Sequence, residues 1–293
     1  MSKIIIIGGG EIGRAIEKLL FNSQAEISIW DKDSMKNSSP KNLENIIPSA
    51  DFIFLCIPSF AYQEVLGNIK SLLQFNTIII SLAKGIENSN RIIPEILEQD
   101  LPSQQPFGLL AGPMLAEEIV NNKKAFAVLA TKNQDIFEKT KTLFENSNLQ
   151  IVYSDDVRGV AIASVLKNIY SILFGVIDGL YLGNNVKGDI LIKAFKEMKA
   201  IIGIFNGKIE TIEGLAGLGD FFATATSEYS RNRQTGLDIV KTKVCCLSGE
   251  GAISFPSLRK ILGDKIFQFP LLMTLGEIFE KPTEVENLIK KIN

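Results

Sequence analysis

A short apolar run near the start of this chain leads directly into a set of glycines. Residues 3–7 read KIIII, and Gly8, Gly10 and Gly13 follow with the spacing G-x-G-x-x-G. The β-branched run predicts a buried strand, and the residues from there to about Asn22 predict a helix. A strand, a glycine turn and a helix in this order are typical of the first unit of a dinucleotide-binding α/β fold.

Each glycine of this motif has a physical role. Gly8 allows the tight turn, Gly10 lets a pyrophosphate approach the backbone, and Gly13 lets the helix pack closely on the strand. The first N–H groups of the helix then bind the anion. Asp31 ends the second predicted strand, where a carboxylate accepts hydrogen bonds from ribose hydroxyls and repels a 2′-phosphate. We therefore predict NAD(H) as the preferred cofactor, with NADP(H) possible. A glycine turn in an unrelated α/β fold, with Asp31 as a solvated strand end, is the alternative.

The order of elements in the first half defines its fold class. Short apolar runs alternate with helical stretches, which is the βαβα order of an α/β fold. Most of these runs are continuous rather than alternating, as in a parallel sheet that is covered on both faces. The predicted strands are 3–7, 26–30, 51–57, 77–82, 107–110, 125–130 and 149–153.

The pattern changes near residue 154. Helical patterns then dominate, apart from one short strand-like run at 242–247, and Ser-Asp-Asp at 154–156 is suited to cap the next helix. We predict an α/β plus all-α chain. Residues 1–154 form a Rossmann domain with a doubly wound, mostly parallel sheet, and residues 155–293 form an all-helical substrate and catalytic domain. The predicted helices of the second half are 156–181, 187–207, 254–262, 269–279 and 282–292.

Charge and composition exclude several classes of function. The chain has 31 Lys and Arg against 33 Asp and Glu, so no basic excess is present to hold a nucleic-acid backbone. It contains no histidine, which excludes Ser-His-Asp and Cys-His catalysis and any histidine-based metal site. We therefore expect no metal cofactor, and a general acid or base that is Lys, Asp, Glu, Tyr or Cys.

Cysteine usage and hydropathy predict a cytoplasmic protein. Cys56, Cys245 and Cys246 are too sparse for a disulfide framework and indicate a reducing compartment. No signal-peptide pattern precedes the first strand. Residues 159–183 are largely apolar but include two charged side chains, so we expect a buried helix rather than a membrane span.

Lys167 lies within that apolar helix, where a lysine is costly unless it is paired or functional. Burial lowers the pKa of a lysine, which can then exchange protons. Ser171 and Asp178 follow about one and three helical turns later and would share its face. Spacing alone leaves two hypotheses open. Lys167 is either catalytic, or it snorkels towards a crevice while Asp178 acts as a structural partner at the helix end.

A second polar cluster follows in the helical half. Residues 214–220 read GLAGLGD, Thr224 comes next, and residues 230–233 read SRNR. Gly-rich backbone can approach a ligand closely, and an arginine fork binds phosphate or carboxylate while Ser and Asn add neutral donors. The cluster fits an anion site. An ordinary loop followed by a solvated helix start is the alternative.

Together these motifs resemble the bacterial type of NAD(P)-dependent glycerol-3-phosphate dehydrogenase, and the resemblance runs nearly end to end. Its most specific stretch is the second polar cluster, from Gly214 to Arg233. The other matching motifs are Pro58-Ser59 with Glu64-Val65-Leu66, Ala83-Lys84-Gly85-Ile86-Glu87, Ala111-Gly112-Pro113 with Ala116-Glu117-Glu118, Leu166-Lys167-Asn168, Asp178-Gly179-Leu180 with Leu182-Gly183 and Asn185, and Glu197-Met198.

The resemblance implies a homodimer that reversibly reduces dihydroxyacetone phosphate to sn-glycerol 3-phosphate with NAD(P)H, feeding glycerophospholipid synthesis. It implies that Lys167 gives a proton to the ketone in reduction and acts as the base in oxidation. The implied catalytic residues are Lys167, Lys84, Asp220 and Thr224. The implied substrate contacts are Lys84, Gly112, Lys167, Asp220, Ser230, Arg231 and Asn232. The cofactor contacts, from the glycine motif and the resemblance together, are Gly8, Gly10, Glu11, Ile12, Gly13, Asp31, Lys84, Ala116, Arg231 and Glu250.

The sequence departs from the family pattern at identifiable positions. Met114 stands where the family usually has Ser or Thr, and Glu11-Ile12 replaces a small residue and an aromatic residue. Two alternatives to the implied enzyme stay open. One is a reductase of another small keto acid or phosphate ester on the same plan. The other is a catalytically retired dinucleotide-binding protein, for which Met114 and Glu11 are the only sequence support.

Overall fold

The computed structural model describes residues 1–38, 42–246 and 248–292. Within them, seven strands form one sheet: β1 (Lys3–Ile7), β2 (Glu26–Trp30), β3 (Phe52–Leu55), β4 (Ile78–Ser81), β5 (Phe107–Ala111), β6 (Ala125–Ala130) and β7 (Leu149–Ser154). Their spatial order is β2-β1-β3-β4-β5-β6-β7. β1 to β5 are parallel, whereas β6 and β7 are parallel to each other and antiparallel to β5. The mostly parallel, doubly wound sheet predicted from the apolar runs is confirmed.

The register of β1 shows how both faces of the sheet are covered. Ile4 and Ile6 belong to one apolar cluster and Ile5 and Ile7 to another, because successive side chains of a strand face opposite sides. Helices of the first half cover both clusters, as a parallel sheet requires. These helices are α1 (Glu11–Leu20), α2 (Leu43–Ile46), α3 (Tyr62–Ile69), α4 (Ile93–Asp100), α5 (Ala116–Val120) and α6 (Gln134–Thr142).

The direction of winding reverses between β1 and β3. β2 lies on one side of β1, and β3, β4 and β5 follow in sequence on the other. In open α/β sheets a ligand crevice forms outside the carboxyl ends of the strands at such a reversal. Gly8 follows β1 and Cys56 follows β3, so the glycine turn lies at this crevice.

Helices make up the described part of the second half. β7 ends at Ser154 and α7 begins at Val157, so the predicted boundary between residues 154 and 155 falls in the short connection between them. Asp156 caps α7 by accepting a hydrogen bond from Gly159 N at 2.9 Å. The helices are α7 (Val157–Gly179), α8 (Gly183–Ile204), α9 (Ile209–Glu213), α10 (Asp220–Thr226), α11 (Arg231–Thr242), α12 (Glu250–Leu262), α13 (Pro270–Glu280) and α14 (Val285–Ile289).

α7 is the central helix of this half. It is long and apolar enough to cross a membrane by length and composition, yet its whole apolar window is buried against other helices. α8, α10, α11 and α12 pack around it. The helix is therefore part of the protein core, as the sequence predicted.

α7 and α11 cross at a contact that only glycine allows. A Cβ on Gly175 would lie 1.9 Å from Arg233 O, and a Cβ on Gly236 would lie 2.0 Å from Ile172 O. The two backbones therefore touch directly. This contact brings the start of α11 beside the part of α7 that carries Lys167.

Two predictions about local structure need correction, and the predicted set of helices in the second half is incomplete. The run 242–247 is not a strand: Thr242 ends α11, residues 243–246 are irregular, and Leu247 lies outside the described residues. Lys243 adopts the left-handed conformation (φ 58°), which terminates the helix before the apolar run begins. The helix predicted over 282–292 is interrupted, with α14 flanked by 3₁₀ turns. α9 and α10 were not predicted, and the start of α11 appeared only in the alternative hypothesis for residues 230–233, because Gly-rich and polar segments carry little apolar periodicity.

Candidate active site

A cavity of about 410 Å³ opens at the carboxyl edge of the sheet, facing the helical half. The first half contributes the glycine turn, the loops after β3 and β4, and the segment around Met114. The second half contributes α7, α10 and the start of α11. The lining includes Gly10, Glu11, Ile12, Lys84, Met114, Ala116, Lys167, Asn168, Asp220, Thr224, Ser230, Arg231, Asn232 and Glu250.

The glycine turn has the geometry that a dinucleotide cradle needs. Gly8 has φ of +108°, and a Cβ there would lie 2.4 Å from Cys56 O. A Cβ on Gly13 would lie 1.9 Å from Gly8 O, so the turn and α1 pack without space for a side chain. A Cβ on Gly10 would meet no protein atom within 4 Å, because this glycine borders the open cavity. The space above Gly10 fits a pyrophosphate at the start of a helix.

Asp31 lies directly beside this turn. Its Oδ2 accepts a hydrogen bond from Gly9 N at 2.7 Å, and its Oδ1 accepts one from Asp33 N at 2.9 Å. The carboxylate at the end of β2 is thereby held against the glycine turn. Each oxygen retains a further lone pair that can accept a hydrogen bond from a ribose hydroxyl.

Two lysines from different halves of the chain share one buried carboxylate at the base of the cavity. Lys84 follows β4, and its Nζ donates to Asp220 Oδ2 at 2.7 Å. Lys167 Nζ, on α7, donates to Asp220 Oδ1 at 3.2 Å and to Thr224 Oγ1 at 2.6 Å. Thr224 in turn lies 3.3 Å from Asp220 Oδ1. The residues predicted as catalytic are thus brought together in one hydrogen-bonded network.

Burial and the opposite charge of a neighbour shift the pKa values of Lys167 and Asp220 in opposite directions. Burial lowers the pKa of Lys167 to about 8, while the charge of Asp220 opposes that shift and the charge of Lys84 adds to it. Burial alone would raise the pKa of Asp220, but Lys167 and Lys84 outweigh burial and hold that pKa below its ordinary value. The carboxylate therefore stays ionised near neutral pH, while Lys167 carries a proton that it can release.

Side chains of the helical half hold the backbone of Lys84 from both sides. Glu250 Oε2 accepts from Lys84 N at 3.1 Å, and Asn168 Nδ2 donates to Lys84 O at 3.1 Å. Glu250 Oε1 also accepts from Ser59 N at 3.0 Å. Glu250, predicted as a cofactor contact, thus lines the cavity with its carboxylate bound to two backbone N–H groups. The role of Asn168 was missed, although it follows Lys167 directly in the sequence.

The Ser230–Arg233 segment begins α11 and faces the cavity. Ser230 Oγ caps the helix by accepting from Arg233 N at 3.2 Å. Asn232 is buried, and its Oδ1 accepts from Gly251 N at 2.9 Å. Arg231 stays exposed and reaches across the cavity, where its Nη2 donates to Glu11 Oε1 at 2.7 Å. The segment is a helix start with an exposed arginine, as in the alternative hypothesis, and three of its residues also line the cavity.

The remaining polar residues of the predicted face serve structure. Arg233 Nε donates to Asp178 Oδ2 at 2.7 Å, and Lys187 also pairs with Asp178. Ser171 Oγ donates to the carbonyl of Lys167 at 2.6 Å. Asp178 is therefore the structural partner at the end of α7 and makes no contact with the Lys167 ammonium group.

The segment after β5 forms another part of the cavity wall. Gly112 has φ of +140°, and its carbonyl accepts a hydrogen bond from Lys84 Nζ at 3.0 Å. Met114 is buried and lines the cavity, and Ala116 starts α5 beside the glycine turn. Among residues 1–38, 42–246 and 248–292, no group of three or more Cys, Asp or Glu side chains has a metal-binding arrangement.

Comparison with family models and with curated proteins gives one consistent family. The family model described as NAD-dependent glycerol-3-phosphate dehydrogenase N-terminus matches residues 38–137, and the corresponding C-terminus model matches residues 156–290. Glycerol-3-phosphate dehydrogenase [NAD(P)+] of Clostridium botulinum (strain Eklund 17B / Type B) is 33% identical over 260 residues, which cover 81% of this chain and 78% of that protein. The protein of the same name from Clostridium perfringens (strain SM101 / Type A) is 32% identical over 267 residues, covering 83% and 80%.

A solved structure agrees at the level of the fold. The crystal structure of glycerol-3-phosphate dehydrogenase from Coxiella burnetii superimposes with a TM-score of 0.90 over 99% of this chain and 98% of that chain. The two sequences are 24% identical. The arrangement of the Rossmann sheet and the helical half is therefore the same in both proteins.

Proposed function

This chain belongs to the NAD-dependent glycerol-3-phosphate dehydrogenase family, and from that premise we propose how its site works. It is an NAD(P)-dependent oxidoreductase that reversibly reduces dihydroxyacetone phosphate to sn-glycerol 3-phosphate. NAD(H) is the preferred cofactor and NADP(H) is possible. Support for that preference comes from Asp31, whose carboxylate lies against the glycine turn and would repel a 2′-phosphate.

The main support for this proposal is that Lys84 and Lys167 both bind the carboxylate of Asp220. Lys84 and Lys167 place two ammonium groups within hydrogen-bond distance of one buried carboxylate, in the cavity that begins at the glycine turn. Reduction of a ketone builds negative charge on its oxygen, and positioned cations stabilise that charge in a poorly solvated site. A chain without histidine needs another proton donor there, and Lys167 can supply it.

Each residue of the site has a separate role in the proposed reaction. Lys167 holds the proton on Nζ and gives it to the substrate oxygen in reduction, or removes it from the hydroxyl in oxidation. Thr224 and Asp220 fix the direction of that ammonium group, and Lys84 adds a second positive charge. A bound nicotinamide supplies or accepts the hydride, and Gly8, Gly10, Gly13 and Asp31 are the residues that would hold the dinucleotide.

The start of α11 is proposed to hold the substrate phosphate. Arg231 supplies a planar fork of donors at the exposed side of the cavity, and Ser230 and Asn232 flank it. Binding energy at a phosphate distant from the carbonyl can orient the reacting atoms. Arg231 therefore anchors one end of the substrate while Lys167 acts at the other.

A substrate panel tests the proposed reaction. Oxidation of NADH and NADPH is followed with dihydroxyacetone phosphate, unphosphorylated dihydroxyacetone and hydroxypyruvate as the candidate acceptors. We expect efficient turnover of dihydroxyacetone phosphate alone, with the larger kcat/KM for NADH. Preference for a keto acid would support the alternative reductase. Binding of NADH without turnover of any acceptor would support the retired dinucleotide-binding protein.

The biological setting is also a proposal. The homodimer is supported by the family resemblance and by exposed apolar side chains on the helical half, including Tyr181, Ile192 and Phe267. The cytoplasmic location is supported by the three cysteines, all of which are free thiols in the structure. The role in supplying glycerophospholipid synthesis follows from the product alone. Light scattering on the purified protein tests the dimer, and a monomeric mass would contradict it.

A further inference from the structure

Glu11 and Arg231 form an ion pair that spans the mouth of the site. Glu11 lies in the first turn of α1, directly after the glycine turn, and Arg231 starts α11 in the helical half. Glu11 Oε1 lies 2.7 Å from Arg231 Nη2. The pair thus links the end of the glycine turn, which would hold the dinucleotide, to Arg231, the proposed anchor of the substrate phosphate.

This ion pair stands between two cavities. The catalytic cavity of about 410 Å³ contains Lys167, and a second cavity of about 630 Å³ is lined by Gly9, Arg14 and Lys36. Glu11 and Arg231 line both cavities. A ligand that occupies both cavities therefore passes these two side chains.

Arg231 therefore already has an ion-pair partner within the chain itself. An arginine binds phosphate with the largest gain in free energy when only water contacts it beforehand. An arginine that already has an ion-pair partner must first lose that partner, which reduces the gain. Both side chains are exposed, at 56% for Glu11 and 71% for Arg231, so the pair is weak enough to exchange.

We propose that the carboxylate of Glu11 occupies Arg231 until the phosphate of the substrate displaces it, so that Glu11 tunes the affinity of the site for the phosphorylated substrate. This inference rests on the proposed function, because it takes Arg231 as the phosphate anchor. A phosphate ester carries more negative charge than a carboxylate and offers three acceptor oxygens, so it replaces Glu11 with a net gain. A singly charged carboxylate would exchange for another carboxylate with little gain.

A double-mutant cycle tests the proposal. KM for dihydroxyacetone phosphate at saturating NADH is measured for the unmodified protein, E11Q, R231Q and E11Q/R231Q. Because an exposed ion pair is weak, we expect E11Q to lower KM by about two- to fivefold. The same substitution should leave KM unchanged in the R231Q background. E280Q is the matched control, since Glu280 forms another exposed ion pair with an arginine, Arg259, and neither residue lines either cavity.

The outcomes separate the proposal from its premise. An unchanged or raised KM in E11Q overturns the proposal. So does a decrease that persists in the R231Q background, since Glu11 would then act by direct repulsion rather than through the arginine. If the unmodified protein does not turn over dihydroxyacetone phosphate, the proposed function fails. Calorimetric titration with inorganic phosphate then still tests the pair, because E11Q must bind phosphate about two- to fivefold more tightly.

Discussion

At the scale of single residues, the site depends on one buried carboxylate that binds two lysine ammonium groups. Asp220 is buried and ionised only because Lys84 and Lys167 accompany it. Sequence spacing could place Lys167 on an apolar helix and raise the question of its function. It could not show that Asp220 and Thr224, more than fifty residues later, are its partners. That information came from the motif resemblance and from the fold.

The lowered pKa of Lys167 leads to a pH prediction. Lys167 is protonated below a pH of about 8 and loses its proton above it. Reduction needs the protonated ammonium group and oxidation needs the free amine. We expect kcat for reduction of dihydroxyacetone phosphate to fall as the pH rises through about 8, and kcat for oxidation of glycerol 3-phosphate to rise over the same range. Profiles measured in both directions check this, and two parallel profiles would contradict it.

At the scale of elements, the apolar runs predicted all seven strands, because a buried parallel strand is apolar on both faces. The antiparallel direction of β6 was not predictable, since the same run of Ala125–Ala130 fits either direction. The sequence indicated the start of α11 only as an alternative hypothesis, although Ser230 is a good capping residue. Its place beside α7 depends on two glycines that meet across the helices, which no local pattern reveals.

The glycine contact between α7 and α11 gives a stability prediction. A Cβ on Gly236 would lie 2.0 Å from the carbonyl oxygen of Ile172 and 2.7 Å from Val176 N, so the helices must separate. We expect G236A to lower the free energy of unfolding by about 2 to 3 kcal/mol. G188A is the control, because Gly188 is an exposed residue of α8 and a Cβ added there would meet no other atom within 4 Å. We expect that change to stabilise the protein by about 0.5 to 1 kcal/mol.

Chemical denaturation of the two glycine variants measures both effects. Equal stability of G236A and the unmodified protein would show that α11 can shift without cost. In that case the position of Arg231 would not depend on this crossing.

At the scale of the whole molecule, the site exists only where the sheet and the helical half meet. The glycine turn and Lys84 come from the first half, and Lys167, Asp220 and Arg231 from the second. The sequence predicted which half carries which motif, but not the side chains that join the halves. Glu250 is the clearest example, since it was predicted to contact the cofactor and in the structure binds the backbone of Ser59 and Lys84.

Glu250 accordingly gives a prediction about this junction. Its negative charge raises the pKa of Lys167, so removing the charge lowers that pKa further. We expect E250Q to reduce kcat and to move the fall in reductive activity to lower pH. E286Q is the control, because Glu286 is an exposed partner of Lys243 far from the cavity. An unchanged pH profile in E250Q, with KM for NADH alone increased, would show that Glu250 serves the cofactor instead.

The central claim is that Lys167 is the proton donor of a dihydroxyacetone phosphate reductase. The most direct test is the rate of NADH oxidation with dihydroxyacetone phosphate for the unmodified protein and for K167M, with NADH binding measured in both. We expect the unmodified protein to turn over, and K167M to bind NADH but to lose at least about a hundredfold in kcat, as for loss of a general acid. Comparable kcat values in the two proteins would contradict the account.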